Sequence, residues 1–283
     1  MDLQSLEIRV ARSENLPVLP QIVSHVLKLA DNPDAGPKDM EKIIERDPAV
    51  TAKILRVANS SYYGLSQIQS INRAISMLGM NTIRSLVVGV AFQQIISTRT
   101  PASKFNKLEF WRHSLGVAIG SRILGKLKQP LKAEELYVAG MLHDVGLLAL
   151  DRFHPTELDQ AFSYALETDM QLHEAEKMLF GFDHAQVGGL CAERWGLSDL
   201  VLDAIRHHHG PRQSVDHLES TAIVGLADSL AHQCGLTNNF HRLAQEVEPE
   251  LLEIVDLPAE QLDAIKNVIV LEISRAEEAF NIC

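Results

Sequence analysis

The stretch Val138-Ala139-Gly140-Met141-Leu142-His143-Asp144-Val145-Gly146 places an imidazole and a carboxylate side by side within an apolar run. Apolar residues from 132 to 151 recur at helical spacing, so we expect the His-Asp pair to lie on one helix. Such a pair can bind one metal ion, and the second carboxylate oxygen can bridge to another ion. A His-Asp pair also occurs by chance in many chains, so its meaning depends on the rest of the sequence.

The composition is that of an acidic globular protein. The chain has 283 residues, 46% of them hydrophobic, and a formal net charge of −11. This acidic balance, without any cluster of Lys and Arg, argues against binding to the phosphate backbone of a nucleic acid. No apolar run is long enough to cross a bilayer, and residues 1–7 lack the basic start and apolar core of a signal peptide. The sequence therefore predicts a soluble protein that binds neither nucleic acid nor membrane.

The cysteines point to a reducing compartment. Cys191, Cys234 and Cys283 are odd in number and show no CxxC spacing. This pattern argues against a disulfide framework and against a thiolate zinc site. We therefore expect a cytoplasmic location.

Helical periodicity dominates the chain, and no segment alternates in the manner of a β-strand. Residues 18–30 form one apolar stripe, and Asp47-Pro48 supplies an N-cap followed by proline at the first helical position. Gly79 is typical of a helix end, and Asn81 is typical of a cap that opens the next helix. Pro258 is expected to open a last amphipathic helix. The predicted fold class is all-α.

The polar stretch 97–104 is the best candidate for a boundary between two helical lobes. Its Ser, Thr and Pro residues interrupt the helical pattern on either side. We therefore divide the chain into an N-terminal lobe, residues 1–104, and a C-terminal lobe, residues 105–283.

Motifs that begin in the N-terminal lobe resemble the HDOD domain of bacterial signalling proteins. They occur in order and without large gaps, and the resemblance extends from about residue 16 to residue 209. The segments that carry it are 16–20 (LPVLP), 44–55 (IERDPAVTAKIL), 58–64 (ANSSYYG), 71–75 (INRAI), Leu78-Gly79 and 110–114 (FWRHS). The resemblance implies a regulatory module that binds a partner protein in a signalling pathway. Many HDOD domains have lost their metal ligands, and no general enzymatic activity is attributed to them.

The order of His and Asp residues in the C-terminal lobe is similar to that of the HD superfamily of metal-dependent phosphohydrolases. The resemblance implies an HD-like lobe with two metal sites that share one carboxylate. The first implied site consists of His113, His143, Asp144 and Asp228. The second consists of His184, His208 and His209, with Asp144 as the bridge. Mixed imidazole and carboxylate ligands favour one or two divalent ions of iron, manganese or zinc over calcium and magnesium.

Two ligand assignments stay open. Glu109 lies one helical turn before His113, and some relatives with three metals have an extra carboxylate at this position. The functional pair within 207–209 is either His207-His208 or His208-His209, and we prefer the second because residues 204–206 precede it at the usual spacing. The other histidines are interpreted as ordinary core or surface residues: His25, His154, His173, His217, His232 and His241.

Two departures from the related HD-GYP phosphodiesterases argue against catalysis. Those enzymes carry a functional Lys shortly after the His-Asp pair, whereas Gly146 is followed here by residues 147–150 (LLAL). The loop after the paired histidines, residues 210–214 (GPRQS), lacks a Gly-Tyr-Pro signature. We therefore expect a signalling module with a structural or sensing metal and little or no catalysis. The alternative, which the intact ligand set favours, is a metal-dependent phosphohydrolase acting on a nucleotide or another phosphoester.

Overall fold

The fold is built from helices joined by short turns. The computed structural model describes residues 3, 6, 21–30, 34–65, 67–96, 105–238 and 246–280, and within these ranges there is no β-strand. The all-α fold class is therefore confirmed. No helix in these ranges has both the length and the apolar composition that a membrane crossing demands. The helices are α1 (Gln21–Ala30), α2 (Pro37–Ile44), α3 (Pro48–Ala58), α4 (Ile71–Leu78), α5 (Met80–Ile96), α6 (Lys107–Lys128), α7 (Ala133–Leu142), α8 (Val145–Phe153), α9 (Pro155–Thr168), α10 (Leu172–Phe180), α11 (His184–Trp195), α12 (Asp199–His207), α13 (Leu218–Gln233), α14 (Pro249–Val255) and α15 (Leu262–Phe280).

Local sequence signals set most of the helix ends in the N-terminal lobe. The Asp47 carboxylate accepts hydrogen bonds from the backbone N–H groups of Ala49 and Val50, both 3.0 Å long, so the predicted cap of α3 is confirmed. Gly79 ends α4 with a φ of 84°, a value that favours glycine. The prediction that Asn81 caps the next helix is wrong, because α5 begins at Met80, directly after the turn at Gly79.

The largest departure from the expected helices falls at the His-Asp pair. Residues 132–151 were expected to form one helix, but α7 ends at Leu142 and α8 begins at Val145. The break coincides with a close backbone crossing, where a Cβ on Gly146 would lie 1.9 Å from the carbonyl oxygen of His184. The turn lets α8 run against α11, and it leaves the His-Asp pair at a junction between two helices.

The C-terminal lobe is arranged around α6, which packs against α7, α13 and α15. Small residues allow the helices to approach closely. A Cβ on Gly140 of α7 would lie 2.8 Å from the carbonyl oxygen of Val117 on α6. Gly188 of α11 faces the backbone of α8, since its Cβ would lie 3.3 Å from the Gly146 nitrogen. These short approaches bring α6, α7, α8 and α11 together around one buried region.

The apolar core continues from the N-terminal helices into the C-terminal ones. Helix α5 packs on α7, and α15 packs on both α3 and α6. The ring of Phe280, at the end of α15, lies 5.4 Å from the ring of Trp111 on α6. The division between residues 104 and 105 stays a prediction, and the boundary stretch 97–104 lies outside the described residues.

The last helix is amphipathic as expected, although it begins at Leu262 rather than at Pro258, which precedes a short 3₁₀ turn. Its buried face includes Ile265, Ile269 and Ile273. Val268 lies beside this face and is 43% exposed.

The crossing of α8 and α11 predicts a strong effect for Gly146→Ala. The added methyl group would meet backbone atoms that cannot rotate away, so the helices must separate. We expect the free energy of unfolding to fall by about 3 kcal/mol, at the upper end of ordinary overpacking costs. Urea unfolding monitored by circular dichroism measures this change.

The matched control is Gly36→Ser, which adds a Cβ where the nearest heavy atom is 4.0 Å away. Serine also suits the N-cap position that Gly36 occupies. A Gly146→Ala protein as stable as this control would show that the crossing is looser than described.

Candidate metal centre

The side chains predicted as metal ligands converge at one place in the interior, apart from Glu109. They form two groups, and within each group the candidate ligand atoms lie within 4.8 Å of one another. The inner group consists of His113, His143 and Asp228. The outer group consists of Asp144, His184, His208 and His209. Their roles as metal ligands stay a prediction.

In the inner group two imidazoles present the same nitrogen to each other. The Nε2 atoms of His113 and His143 are 3.3 Å apart, and Nε2 of His113 is 3.1 Å from Oδ1 of Asp228. The Nδ1 atoms lie 2.8 Å from the carbonyl oxygens of Leu236 and Gly140. A carbonyl oxygen only accepts hydrogen bonds, so Nδ1 carries the proton and Nε2 of the neutral ring carries a lone pair. Two lone pairs and a carboxylate oxygen therefore face the same point.

Asp144 lies between the two groups. Its Oδ2 is 3.3 Å from Nε2 of His143, whereas its Oδ1 is 3.0 Å from Nε2 of His184 and 3.6 Å from Nε2 of His208. The Asn238 side chain donates a 2.8 Å hydrogen bond to Oδ2 and holds the carboxylate in this orientation. Each oxygen of Asp144 thus faces a different group, which is the geometry that a bridging ligand needs.

Helix ends explain how adjacent residues can face a common point. Consecutive side chains of a continuous helix point about 100° apart, so they do not converge. His143 and Asp144 escape this restriction because they lie at the junction of α7 and α8. His208 and His209 lie just beyond the end of α12, and His184 is the first residue of α11.

A second layer of hydrogen bonds orients the rings of the outer group. Glu176, which is fully buried, accepts from Nδ1 of His184 at 2.7 Å and from its backbone N–H at 2.8 Å. Nδ1 of His208 lies 2.9 Å from the carbonyl oxygen of Ile205. Nε2 of His184 and Nε2 of His208 are therefore left to face Asp144. Hydrogen bonds of this kind are typical of metal-binding histidines, because they fix both the ring orientation and the tautomer.

The cluster favours cationic charge in spite of its burial. Burial raises the pKa of Asp144, but His143 and His184 outweigh this effect and hold that pKa well below its usual range. Burial also opposes protonation of both histidines. The Asp144 carboxylate nevertheless raises the pKa of His143, and Glu176 together with Asp144 raises the pKa of His184 well above its usual value. An added proton is therefore stabilised at His143 and His184, whereas burial, together with neighbouring His208, lowers the pKa of His209 well below its usual value.

Sequence reasoning missed several residues that border the cluster. His232 was interpreted as an ordinary histidine, but its Nε2 lies 3.4 Å from Oδ1 of Asp228, one turn earlier on α13. His173 was interpreted in the same way, and its ring stacks on His209 with the centroids 4.0 Å apart. The i, i+4 spacing of Asp228 and His232 was a usable signal. Glu176 and Asn238 carried no such signal, because their roles depend on tertiary packing.

Two candidate residues are not brought into the cluster. Glu109 is exposed near the start of α6 and belongs to neither group, although it lies one turn from the fully buried His113. His207 is half-buried and also lies outside both groups. Of the two alternatives at residues 207–209, His208-His209 is thus the pair that faces Asp144 and His184.

The donor set fits a divalent transition metal ion. Nε2 of His208 and Oδ1 of Asp228 are buried without a hydrogen-bond partner among the described residues. Oδ1 of Asp228 lies close to Nε2 of His113, but in the neutral ring the proton is on Nδ1, which donates to Leu236, and Nε2 has none to donate. Buried acceptors that face one another are costly unless a cation lies between them. These His and Asp groups can therefore hold a metal ion.

Two cavities border the cluster. One of about 60 Å³ is lined by His208, His209 and Asp228, and also by Glu246 and Glu248. The other, of about 320 Å³, reaches His209 from the side of Lys177, Arg206 and His207. The opening nearest to Asp228 thus carries two carboxylates, and the cationic side chains lie on the other side of His209.

The fold and this cluster define an all-α protein with His and Asp residues gathered in its interior. A model of the HDOD domain matches residues 16–211, well over half of the chain. The chain therefore belongs to the HDOD family.

Solved structures share the fold over nearly the whole chain. An HDOD domain protein of unknown function from Geobacter sulfurreducens is 25% identical, with a TM-score of 0.83 over 98% of this chain and 99% of that one. A protein from Marinobacter aquaeolei VT8, described as a candidate signal transduction protein, is 21% identical, with a TM-score of 0.77 over 99% of this chain and 65% of that one. A candidate phosphohydrolase from Shewanella amazonensis SB2B is 23% identical, with a TM-score of 0.74 over 98% of this chain and 97% of that one.

A longer relative comes from Treponema pallidum (strain Nichols) and carries no functional name. It is 24% identical over 201 residues, which make up 70% of this chain and 38% of that protein. The chain thus spans well under half of the length of this relative.

The role of Glu176 can be tested with Glu176→Gln, which keeps the side-chain volume and removes the charge. Both bonds from His184 go to one carboxylate oxygen, and an amide oxygen accepts them more weakly because it carries no negative charge. We expect the affinity for zinc to fall by about tenfold or more, the usual effect of losing a group that orients a metal-binding histidine. Isothermal titration calorimetry with zinc measures it.

Glu167→Gln is the matched control, because Glu167 is exposed on α9. Its zinc affinity should equal that of the unmodified protein. Equal affinities for all three proteins would refute an orienting role for Glu176.

Proposed function

We propose that this chain is a regulatory HDOD module that retains a pair of metal ions with a structural or sensing role and has little or no catalytic activity. The ions are divalent iron, manganese or zinc, because imidazole and carboxylate ligands together suit these metals. The molecule recognised by the module is a protein partner in a signalling pathway, as the HDOD resemblance implies.

The convergence of Nε2 lone pairs carries this proposal. His113 and His143 are both fixed through Nδ1, so each neutral ring offers a lone pair toward the other and toward Asp228. The inner position would be held by these residues with one oxygen of Asp144. The outer position would be held by the other oxygen of Asp144 with His184, His208 and His209.

Two ions at such positions supply Lewis acidity toward phosphoryl oxygens. The residues around them do not complement this chemistry. Leu147 and Leu148, where the related phosphodiesterases carry a Lys, are buried in the core. Arg206 pairs with Glu193, and Arg212 pairs with Glu250 and Glu253, so both guanidinium groups are engaged.

The opening beside Asp228 also disfavours an anionic substrate. Glu246 and Glu248 line it, and their carboxylates repel a phosphate group that approaches from this side. On this side of the cluster, catalysis therefore lacks both a phosphate clamp and a suitable approach.

The second candidate function is a metal-dependent phosphohydrolase acting on a nucleotide or another phosphoester. The larger cavity favours it, since this cavity offers about 320 Å³ next to His209 with Lys177 and Arg206 in its wall. Lys177 is paired with Asp183 at 2.8 Å and Arg206 with Glu193 at 2.6 Å, so a phosphate would have to displace both carboxylates. Because Asp183 and Glu193 compete with a phosphate for these cations, the enzyme is the less favoured candidate.

Removal of the bridging carboxylate tests the metal pair. We expect Asp144→Ala to lower the metal content of the purified protein and to lower its melting temperature, because a bound ion stabilises only the folded state. Elemental analysis and thermal unfolding, with and without a chelator, measure the two effects. Chelation should lower the melting temperature of the unmodified protein and leave that of Asp144→Ala almost unchanged.

Asp216→Ala is the control, because Asp216 is exposed and outside the cluster. It should keep both the metal content and the response to the chelator. The proposal is wrong if the unmodified protein purifies without metal and its melting temperature does not change when iron, manganese or zinc is added.

The absence of a phosphate clamp predicts near-background hydrolysis. We expect the metal-loaded protein to turn over bis-p-nitrophenyl phosphate, nucleoside monophosphates and cyclic dinucleotides no faster than Asp144→Ala does. Phosphate release or chromophore release measures this. Robust metal-dependent hydrolysis that disappears in Asp144→Ala would replace the regulatory proposal with the phosphohydrolase.

A further inference from the structure

A second concave site lies on the opposite side of α6 from the metal cluster, where the N-terminal helices meet α15. Its volume is about 470 Å³, which falls within the range of small-molecule sites. The wall combines aromatic rings, two cationic side chains, two carboxylates and one apolar side chain from the last helix. The residues that matter for recognition are Tyr62, Tyr63, Arg122, Lys126, Glu134 and Val268. None of them belongs to the metal cluster.

Arg122 is the buried cation of this cleft, with 7% of its surface exposed. One terminal nitrogen donates to the Tyr62 hydroxyl at 3.1 Å, and the other donates to the Glu134 carboxylate at 2.8 Å. The guanidinium lies 3.9 Å from the centre of the Tyr137 ring. Its Nε is buried and has no hydrogen-bond partner among the described residues. A buried N–H donor without an acceptor costs free energy.

The tyrosines are presented by a loop that the metal cluster does not use. Asn59 fixes this loop by donating to the carbonyl oxygens of Leu55 and Ile68, both at 2.8 Å, and by accepting from the Ile68 N–H at 2.7 Å. Tyr62 and Tyr63 pack edge to face, with their ring centroids 4.8 Å apart. The segment 58–64, which carries part of the HDOD resemblance, thus forms a wall of the cleft.

The carboxylates of the cleft have partners, whereas the Lys126 ammonium group has none among the described residues. Glu134 is engaged by Arg122 and by the Ser85 hydroxyl, and Glu272 is paired with Arg275 at 3.0 Å. Lys126, one turn after Arg122 on α6, is exposed and makes no ion pair with any described residue. The carboxylates are therefore already engaged, whereas the Lys126 ammonium group remains to bind an acceptor.

We propose that this cleft binds a small anion that carries a planar ring, of the size of a nucleoside monophosphate. The anionic group would accept hydrogen bonds from the Lys126 ammonium group, one turn along α6 from the Arg122 guanidinium. The ring would pack against the tyrosine pair and the exposed side of Val268, since aromatic rings offer large contact areas to planar groups. The ligand would contact both the 58–64 loop and α15.

The test is isothermal titration calorimetry of the full chain with individual ribonucleoside monophosphates. Adenosine and inorganic phosphate serve as fragments of the ligand. We expect at least one monophosphate to bind, and to bind more tightly than either fragment. Lys126→Glu should weaken binding by about tenfold or more, as the loss of a hydrogen bond to a charged group does. Lys132→Glu, an exposed change just beyond α6, should not.

A steric pair of variants locates the ligand. Val268→Trp fills the cleft from an exposed position on α15 and should abolish binding, whereas Val270→Trp, 48% exposed and outside the cleft wall, should leave it intact. Circular dichroism checks that each variant is folded. Asp144→Ala should retain binding, because the cleft is separate from the metal cluster.

Three results would overturn the proposal. One is that no monophosphate binds, and another is that adenosine alone binds as tightly as its monophosphate. The third is binding that survives Val268→Trp but is lost in Asp144→Ala, because the ligand would then lie at the metal cluster.

Discussion

The orientation of three buried imidazoles is the constraint on which the centre of this protein depends. The backbone carbonyls of Leu236, Gly140 and Ile205 face Nδ1 of His113, His143 and His208 and turn the Nε2 atoms of these rings toward the aspartates. The result is a set of electron-rich atoms enclosed in an apolar core, which is unfavourable without a positive charge among them. The helix break at His143-Asp144 and the close approaches at Gly140 and Gly146 bring these residues together. The Glu176 carboxylate orients His184 toward the same place.

The sequence was sufficient for the fold class and for most of the side chains that converge in the interior. Apolar spacing and caps such as Asp47 define helices from local information, and the resemblance to the HD superfamily implied which His and Asp side chains would meet. The sequence did not reveal the break between Leu142 and Val145, because the apolar pattern runs through it. That break depends on the contact of Gly146 with α11, a tertiary effect that outweighs local helix preference. The exposure of Glu109 likewise follows from where α6 leaves the core.

The segment that carries part of the HDOD resemblance and the metal cluster lie in two separate regions of the molecule, and both regions include α6. The N-terminal segment 58–64 contributes nothing to the metal cluster, yet it shares a cleft with α6 and α15. Helix α6 takes part in both regions, with His113 on one side and Arg122 and Lys126 on the other. A displacement of α6 would therefore change both regions at once.

Helix α15 is synthesised after the helices against which it packs. Ser61 bonds to Glu278, Gln93 bonds to the carbonyl of Phe280, and Arg112 pairs with Glu277, across sequence separations of 217, 187 and 165 residues. Contacts between such distant residues form late, since a long loop must first be closed. On the ribosome, the N-terminal helices emerge well before the helix that covers them. Until α15 is synthesised, the ring of Phe280 does not cover Trp111. The apolar surface around Trp111 is therefore exposed to aggregation during synthesis.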